Sequence, residues 1–207
     1  MVLILRQRIA DKLIEIGAVK IDTADPFIWS SGIQSPIYCD NRLTMSYPEI
    51  RNMIAQAFIK EMDHEQVDIV AGCATAGIPH AAFISQQLDL PMIYVRSKPK
   101  EHGLNNLIEG SFRKGDRVVV IEDLVSTGQS AIQVANALKN EGCHVEKVFS
   151  IFTYGLSCAK DNFVDANLTH ESLVTFDDII GQLVERNDIA KSEQDNLLAW
   201  RDDLVLS

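Results

Sequence analysis

Four short apolar runs, separated by helix-like stretches, constrain the fold of this chain more than any other feature. The runs are mostly apolar and cover residues 67–71, 91–95, 118–121 and 145–153. Helical patterns follow two of them, from about 77 to 88 and from about 128 to 140. Nearly continuous apolar strands that alternate with helices are typical of a parallel sheet with both faces covered. We therefore predict an α/β fold, with a mostly parallel sheet and helices on both faces.

The remaining pattern predicts one domain over residues 1–207, because no linker, repeat or low-complexity tract interrupts the chain. An amphipathic helix is predicted over 2–17, and two short strands around a Gly/Ser/Pro turn over 27–40. Ser46 and Glu49 are spaced as a capping box, which predicts a helix from there to about residue 62.

Composition restricts the classes of partner. The formal net charge is −10, which argues against broad affinity for nucleic acid, because phosphate backbones are bound through excess Lys and Arg. No apolar run approaches the ~20 residues of a membrane span, and Arg6 and Arg8 interrupt the apolar N-terminus before it could act as a signal peptide. The four scattered cysteines lack metal-ligand spacing, which predicts reduced and mostly buried thiols. We expect a cytoplasmic protein without nucleic-acid or membrane partners.

The third apolar run leads into a segment suited to a sugar phosphate. Residues 118–130 read VVVIEDLVSTGQS, and ligands of parallel sheets bind where strands end. The helix that follows presents unpaired N–H groups to a phosphate, and Gly128 allows close approach. Glu122 and Asp123 are placed to accept hydrogen bonds from vicinal hydroxyls. The hydroxyl side chains of the turn are those of Ser126, Thr127 and Ser130. The pattern indicates a ribose 5-phosphate pocket; ordinary helix capping is the alternative.

Two other segments invite a ligand. Residues 71–77 read AGCATAG; such small side chains suggest either a group that approaches the backbone closely or merely a tight strand-to-helix connection. Residues 96–110 read RSKPKEHGLNNLIEG, with Lys98, Lys100 and His102 among small or flexible residues. This stretch is long for a connection, which favours a lid over an active site, with a solvated charged loop as the alternative.

Segment 118–130 resembles the signature of type I phosphoribosyltransferases for phosphoribosyl pyrophosphate (PRPP): an apolar strand, two acids, two or three apolar residues, then Ser-Thr-Gly. The resemblance implies that Glu122 and Asp123 hold the ribose hydroxyls, that 126–130 cradles the 5-phosphate, and that 71–77 receives the pyrophosphate. The residues implied to bind PRPP are Arg96, Lys100, His102, Glu122, Asp123, Leu124, Val125, Ser126, Thr127, Gly128, Gln129 and Ser130.

The polar loop is similar to the catalytic loop of orotate phosphoribosyltransferases, in which Arg is followed by Lys, one residue, His-Gly, and later Glu-Gly. That similarity implies that Arg96, Lys100 and His102 contact the pyrophosphate. It also implies a homodimer, in which this loop closes over the site of the neighbouring subunit. Lys100, His102 and Asp123 are the implied catalytic residues.

Residues 27–42, FIWSSGIQSPIYCDNR, resemble the segment with which orotate phosphoribosyltransferases form a hood over the base; about residues 20–45 would form it here. Orotate is a planar anion, which needs an apolar face, hydrogen-bond donors and one positive charge. Tyr38 offers a face, and Arg42 is the best local cation. The resemblance makes Ser126 a further orotate contact. An arginine that reaches orotate in some members is missing from the segment YGLSCAKDNF.

The resemblance implies a pentosyl transfer, in which N1 of orotate attacks C1 of ribose and pyrophosphate departs. The product is orotidine 5′-monophosphate, a step of pyrimidine biosynthesis. Mg²⁺ is the implied cofactor, carried mainly by PRPP oxygens and water, so no protein side chain is assigned as a metal ligand. Two alternatives stay open: a phosphoribosyltransferase for another base, and a regulator that senses PRPP without catalysis.

Overall fold

The fold comes from a computed structural model, which describes residues 2–23, 25–28, 34–62, 66–96 and 107–204. Six strands form the central sheet in the order β10–β9–β8–β5–β6–β7. They are β5 (Ile69–Cys73), β6 (Met92–Val95), β7 (Ile108–Glu109), β8 (Arg117–Val125), β9 (His144–Thr153) and β10 (His170–Thr175). Neighbouring strands run parallel, except that β7 is antiparallel to β6. The predicted α/β fold with a mostly parallel sheet is confirmed.

Helices cover both faces of this sheet. They are α1 (Val2–Glu15), α2 (Pro48–Glu61), α3 (Gly77–Leu88), α4 (Gln129–Asn140), α5 (Ser157–Asp165), α6 (Phe176–Glu185) and α7 (Lys191–Asp202). The crossovers through α3 and α4 lead in opposite directions along the sheet. Because such crossovers are right-handed, they place α3 and α4 on opposite faces. Among the described helices, none has both the length and the apolar character that spanning a membrane requires.

The two central strands are buried on both sides, as their apolar sequences predict. Every residue of β5 is buried, and so is β8 from Val118 to Glu122. Phe58 of α2 packs edge-on against Phe149 of β9, with ring centroids 5.9 Å apart. Glu122 is only 6% exposed, and a buried acid is costly unless it has hydrogen-bond partners. The end of β8 is therefore a place where polar groups must converge.

Two small antiparallel sheets precede the central sheet. Their strands are β1 (Val19–Ile21), which pairs with β4 (Ile37–Cys39), and β2 (Phe27–Ile28), which pairs with β3 (Gln34–Ser35). The strands predicted over 27–40 are thus present, while the turn at 29–33 lies outside the described residues. A 3₁₀ helix, Asn41–Ser46, leads from β4 toward α2.

The predicted capping box of Ser46 and Glu49 is wrong. Helix α2 begins at Pro48, its N-cap is Tyr47, and no side chain of that residue caps it. The reason is the proline, which disfavours helical backbone in the residue before it. Tyr47 is accordingly extended, with φ −116° and ψ 96°, so Ser46 lies one residue too early and belongs to the 3₁₀ helix.

Candidate functional site

Three segments that the sequence singled out separately meet at one cavity of about 410 Å³. They are the end of the small N-terminal strands, the small-residue turn after β5, and the end of β8. The residues that line the cavity are Cys39, Asp40, Arg42, Ala74, Thr75, Ala76, Glu122, Asp123, Leu124 and Ser130. Because β5 and β8 are parallel neighbours, their carboxyl ends bring two of these segments together.

Glu122 accepts hydrogen bonds from donors in two elements, β8 and α4. The Asp123 N–H donates to Oε1 at 3.0 Å, and the Ser130 hydroxyl donates to Oε2 at 3.3 Å. Burial, and after it the nearby Glu122, raises the pKa of the Cys73 thiol at the end of β5. Burial, and after it Asp123, raises the pKa of Glu122 well above the ordinary glutamate value. These partners hold Glu122 in place at the wall of the cavity, while Asp123 is only half-buried.

Asn41 joins the N-terminal segment to the end of β8. Its side chain is fully buried, and its Nδ2 donates to the Asp123 carbonyl at 2.7 Å. The Cys39 thiol donates to the Asn41 Oδ1 at 3.4 Å. Sequence reasoning missed this role, although Asn41 lies inside the Asp-x-Arg pattern. Sequence reasoning also did not predict that the Cys73 thiol lies near Glu122; it predicted only that this thiol is mostly buried.

The turn before α4 has the features of an anion cradle. Helix α4 begins at Gln129, and its N-cap is Gly128, which has no side chain with which to cap it. The N-cap residue of α4 therefore makes no side-chain capping hydrogen bond. The first N–H groups of a helix have no partners inside the helix, so those of α4 can donate to an anion. Gly128 has φ +80°, and a Cβ there would lie 2.7 Å from the Phe163 ring. Only glycine fits this turn without displacing its neighbours.

Side chains of β9 and α5 hold the turn after β8 by donating hydrogen bonds to its backbone carbonyls. The Val125 carbonyl accepts from the Thr153 hydroxyl at 3.1 Å, and the Thr127 carbonyl accepts from Asn162 Nδ2 at 3.0 Å. Leu124 lines the cavity. Ser126 lies between these two anchored positions, so the whole turn is tied to β9 and α5.

The small-residue turn after β5 approaches β8 very closely. A Cβ at Gly77 would overlap the Ile121 carbonyl oxygen, and the Ala74 N–H donates to the Val95 carbonyl at 3.0 Å. The peptide bond between Ala74 and Thr75 is cis. The small side chains therefore serve packing against β8 as well as leaving backbone at the cavity.

Arg42 lies at the cavity, but its charge is already engaged. Its Nε and Nη2 donate to the two Asp40 carboxylate oxygens at 2.6 and 2.8 Å. The hydrogen bond from Arg42 lowers the pKa of Asp40. The Arg42 side chain is 61% exposed, and the Tyr38 ring, 5.7 Å from that of Phe27, lies nearby. An incoming carboxylate would share this guanidinium with Asp40.

Arg96 lines a neighbouring cavity of about 340 Å³ rather than the one at Asp123. The two cavities share Ala74 and Ser130 in their walls. The Arg96 Nη1 lies 3.9 Å from Glu109 Oε1, a loose ion pair. Lys98, Lys100 and His102 lie outside the described residues.

Comparison with known proteins agrees with this architecture. The family model described as "Phosphoribosyl transferase domain" matches residues 43–175, more than half of the chain. The fold is thus that of a phosphoribosyltransferase domain. The orotate phosphoribosyltransferase of Oceanobacillus iheyensis is 51% identical over 202 residues, which are 97% of this chain and 100% of that protein. That of Coxiella burnetii is 50% identical over 197 residues, 94% of each chain. The chain belongs to the orotate phosphoribosyltransferase family.

Solved structures give the same result. The orotate phosphoribosyltransferase of Aeropyrum pernix superposes with a TM-score of 0.74 at 28% identity, covering 85% of this chain and 98% of that one. Leishmania donovani UMP synthase superposes with a TM-score of 0.79 at 29% identity, covering 94% of this chain. This chain spans only 42% of that larger protein.

Proposed function

We propose that this chain transfers the 5-phosphoribosyl group of PRPP to N1 of orotate, giving orotidine 5′-monophosphate and pyrophosphate. The observation that carries the proposal is the cavity where the N-terminal segment, the turn after β5 and the end of β8 converge. It occurs in a chain about half identical to orotate phosphoribosyltransferases over nearly its whole length. The product is a precursor of pyrimidine nucleotides.

At the phosphate end, residues 126–130 would hold the 5-phosphate through the N–H groups of the turn and of α4. Asp123 and Glu122 would accept hydrogen bonds from the ribose hydroxyls. The contacts around Glu122 support this role, because they hold its carboxylate in one place before substrate arrives. Ser126 and Arg42 would contact the base.

The chemistry requires the C1–O bond to break as N1 forms its bond from the opposite face of the ribose. Positive charge develops on the ribose, and negative charge grows on pyrophosphate. Arg96, Lys100 and His102 would stabilise that negative charge. Orotate is an anion and already nucleophilic, so no strong general base is required. Asp123, beside the ribose, would help to hold the sugar as this charge develops.

Mg²⁺ is the proposed cofactor, and when bound it would neutralise charge on the departing pyrophosphate. Mg²⁺ takes oxygen ligands, which PRPP and water would supply. Within the described residues, no three His, Cys, Asp or Glu side chains are grouped to hold a metal. We therefore assign no side chain as a metal ligand, and the ion would be carried mainly by PRPP oxygens and water.

We also propose that the protein works in the cytoplasm as a homodimer, with the loop at 96–110 shared between subunits. Similarity of that loop to the family's catalytic loop supports the dimer. All four cysteines are free thiols, which suits a reducing compartment. The net charge of −10 argues against nucleic-acid partners.

The proposal is tested by following the ultraviolet absorbance of orotate in the presence of protein, PRPP and Mg²⁺. Loss of orotate absorbance should require PRPP and stop when EDTA is added. Adenine and uracil, each incubated with PRPP in place of orotate, are the controls for another base. Persistent orotate absorbance despite PRPP binding would contradict the proposal and favour a different base or a PRPP-sensing regulator.

The Lys100→Ala variant separates binding from catalysis. If Lys100 stabilises charge that develops only in the transition state, the variant should bind PRPP almost normally and lose about 10²–10³-fold in kcat. Equilibrium binding of PRPP and steady-state turnover measure the two effects. Turnover close to that of the wild type would remove Lys100 from the mechanism.

A further inference from the structure

Asp123 lies at a point of β8 where strand pairing on one side has ended. The register of β5 with β8 ends at Gly72 and Ile121, two residues before Asp123. On the other side, the register with β9 continues at Glu122 and Leu124. A backbone N–H or carbonyl that has no strand partner must find another partner when it is shielded from water. On the side where β5 has ended, the backbone of Asp123 therefore depends on groups outside the sheet.

Side chains bind both backbone groups of Asp123. Its N–H donates to Glu122 Oε1 at 3.0 Å, and its carbonyl accepts from Asn41 Nδ2 at 2.7 Å. Asn41 is the first residue of the 3₁₀ helix that follows β4, and it is fully buried. The amide of Asn41 thus takes the place that a strand partner would have beside Asp123.

Further hydrogen bonds hold Asn41 itself. The Cys39 thiol donates to its Oδ1 at 3.4 Å, which leaves Nδ2 to donate to Asp123. The Thr44 hydroxyl, also fully buried, donates to the Asn41 carbonyl at 2.6 Å. Because a hydroxyl has one proton, Thr44 is the acceptor in its 3.4 Å contact with Nε2 of His80 in α3. Asn41 is therefore held by β4, by its own 3₁₀ helix and, through Thr44, by α3.

We propose that Asn41 is a positioning residue that fixes the base end of the site relative to the ribose end. This inference rests on the proposed function, because orotate and ribose define the two ends. Asn41 is not among the described residues that line the cavity, whereas Asp40 and Arg42, on either side of it, are. Asn41 acts through these neighbours and through the Asp123 peptide, and so sets where the base lies relative to C1 of the ribose.

The phosphate end has anchors of its own, which makes the proposed effect selective. The Val125 carbonyl accepts from the Thr153 hydroxyl, and the Thr127 carbonyl accepts from Asn162 Nδ2. Neither contact involves Asn41, so the cradle for the 5-phosphate should stay in place without its amide. Misplacing two reacting groups by about 1 Å can cost on the order of 10²-fold in rate. Loss of the Asn41 amide should therefore affect turnover of orotate more than binding of PRPP.

The Asn41→Leu variant keeps a side chain of similar size and removes both the donor and the acceptor. In the orotate absorbance assay, kcat/KM for orotate should fall by about 10- to 100-fold. The Kd of PRPP, measured at equilibrium without orotate, should stay within about threefold of the wild-type value. The Thr44→Val variant removes only the hydroxyl that holds the Asn41 carbonyl. It should lower kcat/KM for orotate by about three- to tenfold, again without a matching change in the Kd of PRPP.

Ser172→Ala is the control for lost stability, because it removes a buried hydroxyl that donates to the Val174 carbonyl at 2.9 Å in β10. Thr169→Val, at an exposed threonine, is the control for Thr44→Val. Both controls should leave kcat/KM for orotate and the Kd of PRPP unchanged. Equal losses of orotate turnover and PRPP affinity in Asn41→Leu, or a loss of turnover no larger than in Ser172→Ala, would overturn the positioning role.

If Asn41→Leu fails to fold, the same criteria apply to Thr44→Val. A wild-type protein that does not consume orotate refutes the proposed function, and this inference with it. An active wild type whose kcat/KM for orotate is matched by that of Asn41→Leu refutes only the positioning role of Asn41.

Discussion

The two ends of the candidate site are built differently. The phosphate end follows β8, a strand of nine residues at the centre of the sheet, and leads straight into α4. The base end follows β4, a strand of three residues in a separate two-stranded sheet. A long central strand is held by its neighbours along its whole length, whereas an isolated two-stranded ribbon is only marginally stable in water.

The difference lies in what holds each end in position. At the phosphate end, the sheet itself positions the backbone, and Glu122 accepts hydrogen bonds from β8 and α4. The base end depends on a side-chain hydrogen bond to the sheet, from Asn41 to the Asp123 carbonyl. Phosphate recognition should therefore be insensitive to distant changes, and base recognition should be sensitive to them.

Among the substitutions that test this difference between the two ends, we expect the largest effect on stability and PRPP binding at Gly128. Gly128→Ala forces an alanine into φ +80° and toward the Phe163 ring, which should destabilise the fold by about 1–3 kcal/mol. The KM for PRPP should rise by at least about tenfold, because the turn that holds the phosphate must shift. Urea unfolding and steady-state kinetics measure the two effects.

Gly181→Ala is the matched control. Gly181 lies inside α6, and a Cβ added there would meet no atom within 4 Å. The variant should gain about 0.5–1 kcal/mol of stability, because alanine favours a helix. If Gly128→Ala proved as harmless as Gly181→Ala, the turn would not be the rigid cradle that the comparison assumes.

How much the sequence predicts also differs between the two ends. The four predicted strands, α3 and α4 follow from local apolar periodicity, and their predicted bounds are close to those observed, except that β8 continues to Val125. Strands β7 and β10 were not predicted. The site contacts are long-range: Asn41 and Asp123 are 82 residues apart. Cys73 comes near Glu122 only because β5 and β8 are neighbouring strands. No local pattern encodes such pairs. The arrangement of the base end, which depends on them, could not be predicted in detail.

Arg42→Gln tests the base end directly and should have a smaller effect. If Arg42 pairs with the orotate carboxylate, its loss should raise the KM for orotate by about tenfold, since hydrogen bonds to charged groups contribute about 1.5–3 kcal/mol. The KM for PRPP should remain unchanged. Asp40→Asn would release the guanidinium from its ion pair and should not raise the KM for orotate.

Arg113→Gln, at an exposed arginine, is the control for the loss of one positive charge. A KM for orotate that is the same in Arg42→Gln as in this control would mean that another cation binds the carboxylate. The base end would then depend on the subunit interface or on the loop at 96–110 more than on β4.

The smallest expected effect is a pH dependence of the free energy of unfolding, caused by Glu122 at the phosphate end. Burial raises the pKa of Glu122 above 4.5, the ordinary value, so the folded protein holds this proton more tightly than the unfolded chain does. The stability that this gives is fully present below about pH 4.5 and is lost as pH rises through the raised pKa. Glu122→Gln has no such proton to lose.

The free energy of unfolding of Glu122→Gln, relative to that of the wild type, should therefore increase as pH rises from about 5 to about 9. Urea unfolding at several pH values gives the slope, and Glu185→Gln, at an exposed glutamate, should show none over this range. The slope matters more than the absolute difference, because glutamine also changes the hydrogen bonds to Ser130 and to the Asp123 N–H. A difference in unfolding free energy that does not change with pH would mean that Glu122 is ionised over the whole range. Its hydrogen-bond donors would then stabilise the charged form more than burial destabilises it. The phosphate end would then be held by charge as well as by the sheet, and the contrast with the base end would be sharper still.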